Sequence, residues 1–256
     1  MLHNFQKYTV FILKIVYGLS LFIASVHTVN LHSYMNEYNF TIESNRSTLR
    51  DVQFQSLKSR VIKYLENSWC SAKKAELMMD LIFAIRPEVC VEIGVFSGSS
   101  VLPVAATLDY LKTGCIYAID AWSNSEAVKN MSIHDSNYNW WTHVNMKEIK
   151  NRFAILVNQW NLNSCCSVIH ATSEAAAKEI PEIDFLHLDG NFCEEVALMD
   201  VELFLPKVKS GGYILFSNLF QVIDNKLTKM SAMWRLFDEC EIICEIDNNT
   251  ALFRKN

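Results

Sequence analysis

Residues 89–100 of this 256-residue chain read VCVEIGVFSGSS. Apolar residues around a single acid, Glu92, predict a buried strand, and Gly94 and Gly98 follow it. The chain has only seven glycines, so their placement is informative. Glycine lets the backbone turn sharply and approach a ligand closely, and the start of a following helix offers free N–H groups to an anion. The stretch therefore predicts a strand that ends in a turn able to hold a ligand.

Strand-like and helix-like segments alternate along the chain from Ser71 onward. Apolar runs such as CIYAIDAW and IDFLHLDG predict buried strands, and the segments between them have apolar residues at helical spacing. This alternation predicts βαβ units and a parallel sheet with helices on both faces. The last two runs, CEIICEI and TALFR, are joined by a turn too short for a crossover helix, which predicts an antiparallel hairpin. The predicted fold class is α/β, with a doubly wound, mostly parallel sheet.

The composition is that of a globular protein without a basic surface. Hydrophobic residues make up 50% and charged residues 20%, with a formal net charge of −5. Because phosphate recognition needs a basic surface, no nucleic-acid partner is expected. The eight cysteines have no C-x-x-C spacing, which argues against a zinc site. Several lie in apolar strand-like runs, which favours buried free thiols and a reducing compartment.

Residues 1–28 form an apolar segment interrupted by Lys14. Its uncharged run at residues 15–26 has a length typical of a signal-peptide core. If Lys14 snorkels, residues 8–27 approach the length of a membrane span and would attach the chain to a membrane. A third alternative is a true start at Met35. The localisation therefore stays open between a cytoplasmic domain and a membrane-associated one.

Residues 29–68 are polar, with no hydrophobic period. This pattern predicts a linker or a loosely packed N-terminal arm. The folded domain is then expected at residues 69–256.

Polar residues follow each predicted strand, at the edge where doubly wound sheets bind their ligands. The candidate site residues there are Glu92, Gly94, Ser97, Gly98, Asp120, Trp122, Ser173, Glu174 and Asp189. Asp120 is placed to accept both hydrogen bonds from a ribose diol. The glycine spacing is not G-x-G-x-x-G, which argues against a nicotinamide or nucleotide-sugar enzyme. The set predicts a site for a nucleoside with a small charged tail.

Three segments resemble class I S-adenosylmethionine-dependent methyltransferases, namely VCVEIGVFSGSS, IYAIDAW and residues 183–218. The resemblance is nearest to a bacterial group whose motifs read like DFLHIDGNH and GGYIxFDD, and it covers residues 69–253. It implies a Rossmann-like sheet of seven strands that ends in the reversed hairpin. It also implies S-adenosylmethionine as the cofactor, and a small molecule or another methyl acceptor as the partner.

The resemblance also implies roles for the candidate residues. Glu92, Gly94 and Gly98 would line the methionine end of the cofactor, and Asp120 would bind the ribose hydroxyls. Trp122, or Ser173 and Glu174, would border the adenine. Asp189 would face the methyl group and the substrate as the catalytic residue.

Two departures from the group's pattern bear on activity. Phe192 stands where the group has a histidine, and Ser217 and Asn218 stand where it has two acids. In related O-methyltransferases such acids, with the acid at the Asp189 position, hold a divalent cation. One carboxylate and one amide make a poor site for a hard cation, so we expect no bound metal. The alternatives are a metal-independent methyltransferase and a catalytically degenerate relative that binds the cofactor or a partner without turnover.

Two further features have open interpretations. His187 lies within a predicted strand, either as a histidine of the core or as a functional group. Trp140 and Trp141 lie in or beside the longest predicted loop. They either pack on the edge of the sheet or form a lid over the substrate pocket.

Overall fold

The computed structural model describes residues 51–219, 222–223 and 226–256. The strands of these residues are, in chain order, β1 (Val89–Ile93), β2 (Cys115–Asp120), β3 (Cys166–His170), β4 (Ile183–Leu188), β5 (Val208–Ser217), β6 (Val222–Ile223), β7 (Lys226–Leu227), β8 (Cys240–Ile246) and β9 (Thr250–Lys255). The helices are α1 (Val52–Tyr64), α2 (Ala72–Ile85), α3 (Val101–Leu111), α4 (Asn124–Ala127), α5 (Tyr138–His143), α6 (Met146–Gln159), α7 (Ser173–Ala176), α8 (Glu194–Phe204) and α9 (Met230–Glu239).

Seven of these strands form one sheet in the order β3-β2-β1-β4-β5-β9-β8. Strands β1 to β5 pair in parallel, and β9 pairs antiparallel with both β5 and β8. This arrangement confirms the predicted doubly wound sheet and its C-terminal hairpin. Strands β1 and β4 are neighbours although they are not consecutive in the chain. The order of the sheet reverses between them, and a crevice for a ligand is expected at their carboxyl ends.

The central strands are buried on both faces, as their continuous apolar sequences require. Cys90 and Val91 of β1 and Phe185 and Leu186 of β4 have no exposed surface. Burial of apolar side chains on both faces is typical of a parallel sheet covered by helices. The sheet therefore holds the ends of β1 and β4 in fixed positions beside the crevice.

Helix α1 corrects the predicted linker at residues 29–68. Phe54 and Val61 of this helix have no exposed surface, and the helix packs against α2 and α3. Asp51 caps the helix by accepting a hydrogen bond of 2.9 Å from the backbone N–H of Phe54. The prediction was wrong here because the narrow stripe of Phe54, Val61 and Leu65 is diluted by polar residues in the sequence. The packed domain includes this helix.

The remaining differences from the predicted elements are small. Helices α4 and α5 are short turns of helix within and beside the long loop predicted at residues 123–139. The last helix begins at Met230, after the two-stranded hairpin of β6 and β7. The predictions for residues 1–28, and the part of the predicted linker at residues 29–50, lie outside the described residues. Within the described ranges, no helix is both long enough and apolar enough to span a bilayer.

The core position of α1 gives a test of the domain boundary. The ring of Phe54 lies 4.4 Å from that of Phe83 and 5.4 Å from that of Tyr110. We expect Phe54→Ala to lower the free energy of unfolding by about 3–5 kcal/mol, because it leaves a cavity among these rings. Val52→Ala in the same helix, at a side chain that is 79% exposed, should change it by less than about 0.5 kcal/mol. Urea unfolding of both variants measures the difference, and equal effects would place α1 outside the core.

Candidate active site

A cavity of about 770 Å³ opens at the carboxyl ends of the parallel strands. Each of the strands β1 to β5 contributes residues to its wall at or just after its end, and these include Gly94, Asp120, Thr172, Asp189 and Asn218. The cavity therefore lies where the strand order predicts a ligand site.

The loop after β1 approaches the end of β4 as closely as its glycines allow. Gly94 has a φ of 87°, and a Cβ atom there would lie 2.4 Å from the carbonyl oxygen of Asp189. Gly98 has a φ of 83°, and a Cβ atom there would lie 2.3 Å from the ring of Phe153. A side chain is excluded at both positions, by steric overlap and by backbone conformation. Glycine is thus required for this loop to fit between β4 and α6.

Asp120 ends β2 and holds this loop through its carboxylate. One oxygen accepts a hydrogen bond of 2.8 Å from the N–H of Phe96, and the other accepts one of 2.6 Å from the N–H of Trp122. Burial raises the pKa of Asp120, although the two hydrogen bonds offset part of the effect. Each carboxylate oxygen can accept a further hydrogen bond. Hydroxyl donors from a ligand would stabilise the buried charge.

Gly94, Asp120, Ser173, Glu174 and Asp189 line the cavity. The other predicted cofactor residues are not among its lining residues. These are Glu92, Ser97, Gly98 and Trp122.

Trp122 departs most from its predicted place beside an adenine. Its side chain is buried, its ring centroid lies 5.8 Å from that of Phe153, and its indole N–H donates to the carbonyl of Phe96 at 2.8 Å. Burial of this large apolar side chain against α6 is more favourable than its exposure to water on the cavity wall. Trp122 thus supports the loop rather than the cavity wall.

Ser173 and Glu174 lie at the start of α7, on the far side of the cavity from β5. The hydroxyl of Ser173 donates a hydrogen bond of 2.5 Å to Asp200 of helix α8. Asp200 is almost fully buried, and burial raises its pKa to about 6. Asp200 lines the cavity but was not predicted from the sequence. Its only signal is an acid within the apolar run VALMDVELF.

Asp189 lies at the centre of a polar cluster at the ends of β4 and β5. Its Oδ2 accepts a hydrogen bond of 2.9 Å from the ammonium of Lys74, which also donates at 2.8 Å to the hydroxyl of Ser217. Its Oδ1 accepts a hydrogen bond of 2.6 Å from the amide of Asn218. Burial alone would raise the pKa of Asp189, but the charges of Lys74 and His187 outweigh it and hold the pKa below its usual value.

Lys74 is a second residue of the cavity wall that was not predicted from the sequence. It is the third residue of α2, and only 6% of its surface is exposed. Burial would lower its pKa, but the charge of Asp189 raises the pKa above the ordinary value, so the side chain is an ammonium ion. A lysine in the first turn of a helix opposes the helix dipole. The first turn of α2 carries no acid, and this is the one feature of the sequence that marks the position of Lys74 as unusual.

A chain of buried polar groups runs beneath the cavity floor. The hydroxyl of Ser100 donates a hydrogen bond of 2.5 Å to one oxygen of Glu92. The other Glu92 oxygen lies 3.0 Å from His187 Nδ1, but the two atoms are not aligned for a hydrogen bond. His187 Nε2 lies 3.0 Å from the hydroxyl of Ser217. His187 is fully buried and does not line the cavity. Of its two interpretations, the structure supports the core histidine.

Lys229 is a second buried lysine behind this cluster. Its Nζ donates a hydrogen bond of 3.0 Å to the carbonyl of Ser217 and lies 5.1 Å and 5.7 Å from the rings of Phe216 and Phe192. Burial lowers its pKa to about 8, against the opposing charge of Asp189. The proton on this side chain is thus held weakly.

Aromatic side chains form the wall opposite the polar cluster. Trp69 stacks on Phe96 with ring centroids 4.6 Å apart, and Trp140 and Trp141 pack on both. Phe192 lies 6.0 Å from Trp141. All five side chains line the cavity. The structure therefore places Trp140 and Trp141 over the pocket and not on the edge of the sheet.

The residues at the ends of β4 and β5 fit a divalent cation poorly. They offer one carboxylate, one hydroxyl and one amide, and the amide N–H groups of Asn218 already face Asp189. The Lys74 ammonium occupies the other carboxylate oxygen, and at about 4 Å it would oppose a divalent ion by on the order of 8 kcal/mol at an effective dielectric constant of about 20. No cluster of three or more His, Cys, Asp or Glu side chains suited to a metal occurs among the described residues.

Comparison with known families identifies the domain. The family model described as a methyltransferase domain matches residues 91–219, which is half of the chain. The chain belongs to this family. It is a class I S-adenosylmethionine-dependent methyltransferase, as the resemblance of its motifs implied. A search of curated proteins returns no significant match.

Solved structures share the fold at low sequence identity. An O-methyltransferase from Bacillus cereus in complex with S-adenosylhomocysteine is 13% identical, with a TM-score of 0.52 over 83% of this chain and 96% of its own. The O-methyltransferase TomG from Streptomyces achromogenes in complex with S-adenosylmethionine is 14% identical, with a TM-score of 0.54 over 84% and 99%. A putative caffeoyl-CoA O-methyltransferase from Staphylococcus aureus is 13% identical, with a TM-score of 0.53 over 88% and 97%.

The tight contact at Gly94 predicts a large steric effect of substitution. Gly94→Ala should lower the free energy of unfolding by several kcal/mol, because the new Cβ atom would overlap the backbone of Asp189. Gly211→Ala is the matched control, since Gly211 has a φ of 79° but no atom closer than 3.5 Å to such a Cβ. It should lose only the strain of a positive φ, roughly 1–2 kcal/mol. Similar losses for both variants in urea unfolding would contradict a close approach of the loop.

The lowered pKa of Lys229 predicts a pH-dependent stability. In the folded protein the side chain loses its proton near pH 8, whereas the unfolded chain keeps it until about pH 10.5, so this group adds stability as the pH rises between the two values. The free energy of unfolding of Lys229→Met, minus that of the wild type, should fall by about 3 kcal/mol across this window. Urea unfolding at a series of pH values measures it. The exposed Lys178→Met is the control and should give a flat difference.

Proposed function

We propose that this methyltransferase transfers a methyl group to an oxygen atom of a small molecule and does so without a divalent cation. The observation that carries the proposal is that one cavity joins two chemically different halves. The Gly94 loop and Asp120 form one half, which suits the cofactor. Lys74 and Asp189, beneath the aromatic wall, form the other.

The first half fits S-adenosylmethionine by the chemistry of its residues. Asp120 is a buried carboxylate that hydroxyl donors of a ribose would stabilise, and Gly94 lines the same part of the cavity without a side chain. Ser99 and Ser100 line the cavity just before α3, where the start of the helix favours a carboxylate group. When bound, the cofactor supplies an electrophilic methyl group. The residues of the chain bind it, orient it and exclude water.

The second half suits an acceptor oxygen. An ammonium has three N–H donors, and Lys74 uses two of them on Asp189 and Ser217. The third is left for an oxygen atom in the cavity, whereas a cationic amine would be repelled. The structural neighbours from Bacillus cereus and Streptomyces achromogenes are described as O-methyltransferases, which agrees with this choice.

Catalysis in this site would rest on alignment, and a hydroxyl acceptor would release its proton to solvent as the methyl group is transferred. Both oxygens of Asp189 already accept hydrogen bonds, and its low pKa makes it a weak base. Holding two reactants in line contributes roughly 7–11 kcal/mol to well-oriented reactions. The aromatic wall of Trp69, Phe96 and Trp141 would hold the apolar body of the acceptor and keep water out.

A second candidate function is a relative that binds the cofactor without turnover. The observation that favours it is Phe192, an apolar ring on the cavity wall where the resembling group has a histidine. Transfer of a labelled methyl group to small molecules of a cell extract separates the two candidates. Cofactor binding without any labelled product would favour the second.

Calorimetric titration with S-adenosylmethionine tests the cofactor half directly. The wild type should bind with micromolar affinity. Asp120→Ala should weaken binding at least about tenfold, because hydrogen bonds to a charged group contribute about 1.5–3 kcal/mol each. Asp120→Asn keeps the shape of the side chain and removes its charge, so it should also weaken binding.

The control for this titration is Asp109→Ala, at an acid whose side chain pairs with Lys112 on the surface. It should bind the cofactor as the wild type does. Absence of binding by the folded wild type would overturn the proposed cofactor site. Equal affinity of the two Asp120 variants and the wild type would overturn the role of Asp120.

A further inference from the structure

We propose, on the basis of the methyl-transfer function above, that the Lys74 ammonium is the resident cation of this active site. It takes the position at the ends of β4 and β5 that a divalent ion takes in related O-methyltransferases. Lys74 is then a positioning residue that fixes Asp189 and offers its third N–H to the acceptor oxygen.

The position of the ammonium is the first argument. Its nitrogen lies 2.9 Å from Asp189 Oδ2 and 2.8 Å from Ser217 Oγ. Asp189 directly follows β4, and Ser217 is the last residue of β5. The side chain of Lys74 is 8% exposed, yet the residue lines the cavity. Lys74 belongs to helix α2, which is not part of the sheet, and its side chain extends to the carboxyl ends of β4 and β5.

The charges around the ammonium are the second argument. Ser217 is neutral where the resembling group has an acid, so the Lys74 ammonium pairs directly with a single carboxylate, that of Asp189. An acid at residue 217 beside Asp189 would call for a second positive charge, which a divalent ion supplies. Serine at residue 217 and a buried lysine at residue 74 are therefore electrostatically consistent with each other.

The orientation of Asn218 is the third argument. Its amide N–H group donates to Asp189 Oδ1 at 2.6 Å, and its carbonyl oxygen accepts from the amide of Asn249 at 3.2 Å. A metal ligand would turn this carbonyl oxygen toward the carboxylate instead. Both oxygens of Asp189 thus already accept hydrogen bonds from N–H donors, whose positive ends would oppose a metal ion at the same oxygens.

Restoring a metal site by substitution tests the proposal. Ser217→Asp adds the missing acid and is combined with Lys74→Met, which removes the charge at similar length, or with Lys74→Arg, which keeps it. Each full-length protein is titrated with Mn²⁺, and the free ion is measured by electron paramagnetic resonance. We expect S217D/K74M to bind Mn²⁺ at least tenfold more tightly than S217D alone or S217D/K74R, and the wild type to bind none at micromolar concentrations.

Each other outcome overturns the proposal. If S217D alone or S217D/K74R binds Mn²⁺ as tightly as S217D/K74M, the ammonium does not occupy the cation position. If the wild type binds Mn²⁺ with micromolar affinity, the site is a metal site. If S217D/K74M binds none while it still binds S-adenosylmethionine, the oxygens at this edge do not form a cation site.

The same proteins are titrated with S-adenosylmethionine by calorimetry. Lys74 and Ser217 lie in the acceptor half, so all variants should bind the cofactor within about threefold of the wild type, which also reports that they are folded. Failure of the wild type to bind the cofactor would overturn the proposed function and leave the Mn²⁺ comparison readable on its own.

Discussion

The contact between the ends of β1 and β4 positions the whole site. The backbone N–H of Asp189 donates to the carbonyl of Ile93 at 2.9 Å, and Gly94 then passes the same residue without room for a side chain. One contact thereby sets the path of the loop after β1 and the place of the Asp189 carboxylate. The two halves of the site share this backbone, so their separation is fixed by the sheet and not by flexible side chains.

The ion pair of Lys74 and Asp189 adds a second constraint, between parts of the chain 115 residues apart. Burying two charges is unfavourable unless each is well paired and hydrogen-bonded, and here each has a further partner, Ser217 for the ammonium and Asn218 for the carboxylate. The pair fixes the start of α2 over the carboxyl edge of the sheet. Loss of either charge would leave the other buried without its partner.

The fold could be predicted because its evidence is local. Continuous apolar runs such as residues 183–188 and a short turn between the last two strands define a parallel sheet with a reversed end. The cavity residues at strand ends, including Asp120 and Asp189, follow from the same topology. Helix α1 was missed because its apolar stripe is narrow, and the inward turn of Trp122 depends on packing against Phe153, which no local pattern reports.

Lys74 could not be found from the sequence, because its partner is known only once α2 is placed on the sheet. It lies within the run SAKKAEL, where a lysine would ordinarily be a solvated surface residue. Asp200 and Lys229 share this property, since each is buried by elements that are distant in the chain. Chemistry that arises from tertiary placement of a charged residue leaves almost no local signature.

The match to the methyltransferase family begins at residue 91, whereas Trp69 and Lys74 precede it. Under the proposed function, the cofactor half lies within the matched part of the domain, and two groups of the acceptor half lie in the segment before it. Such a division would let the acceptor half change through the N-terminal helices while the cofactor loop stays intact. Relatives with the same motifs can thus differ in chemistry at a place that motif comparison does not reach.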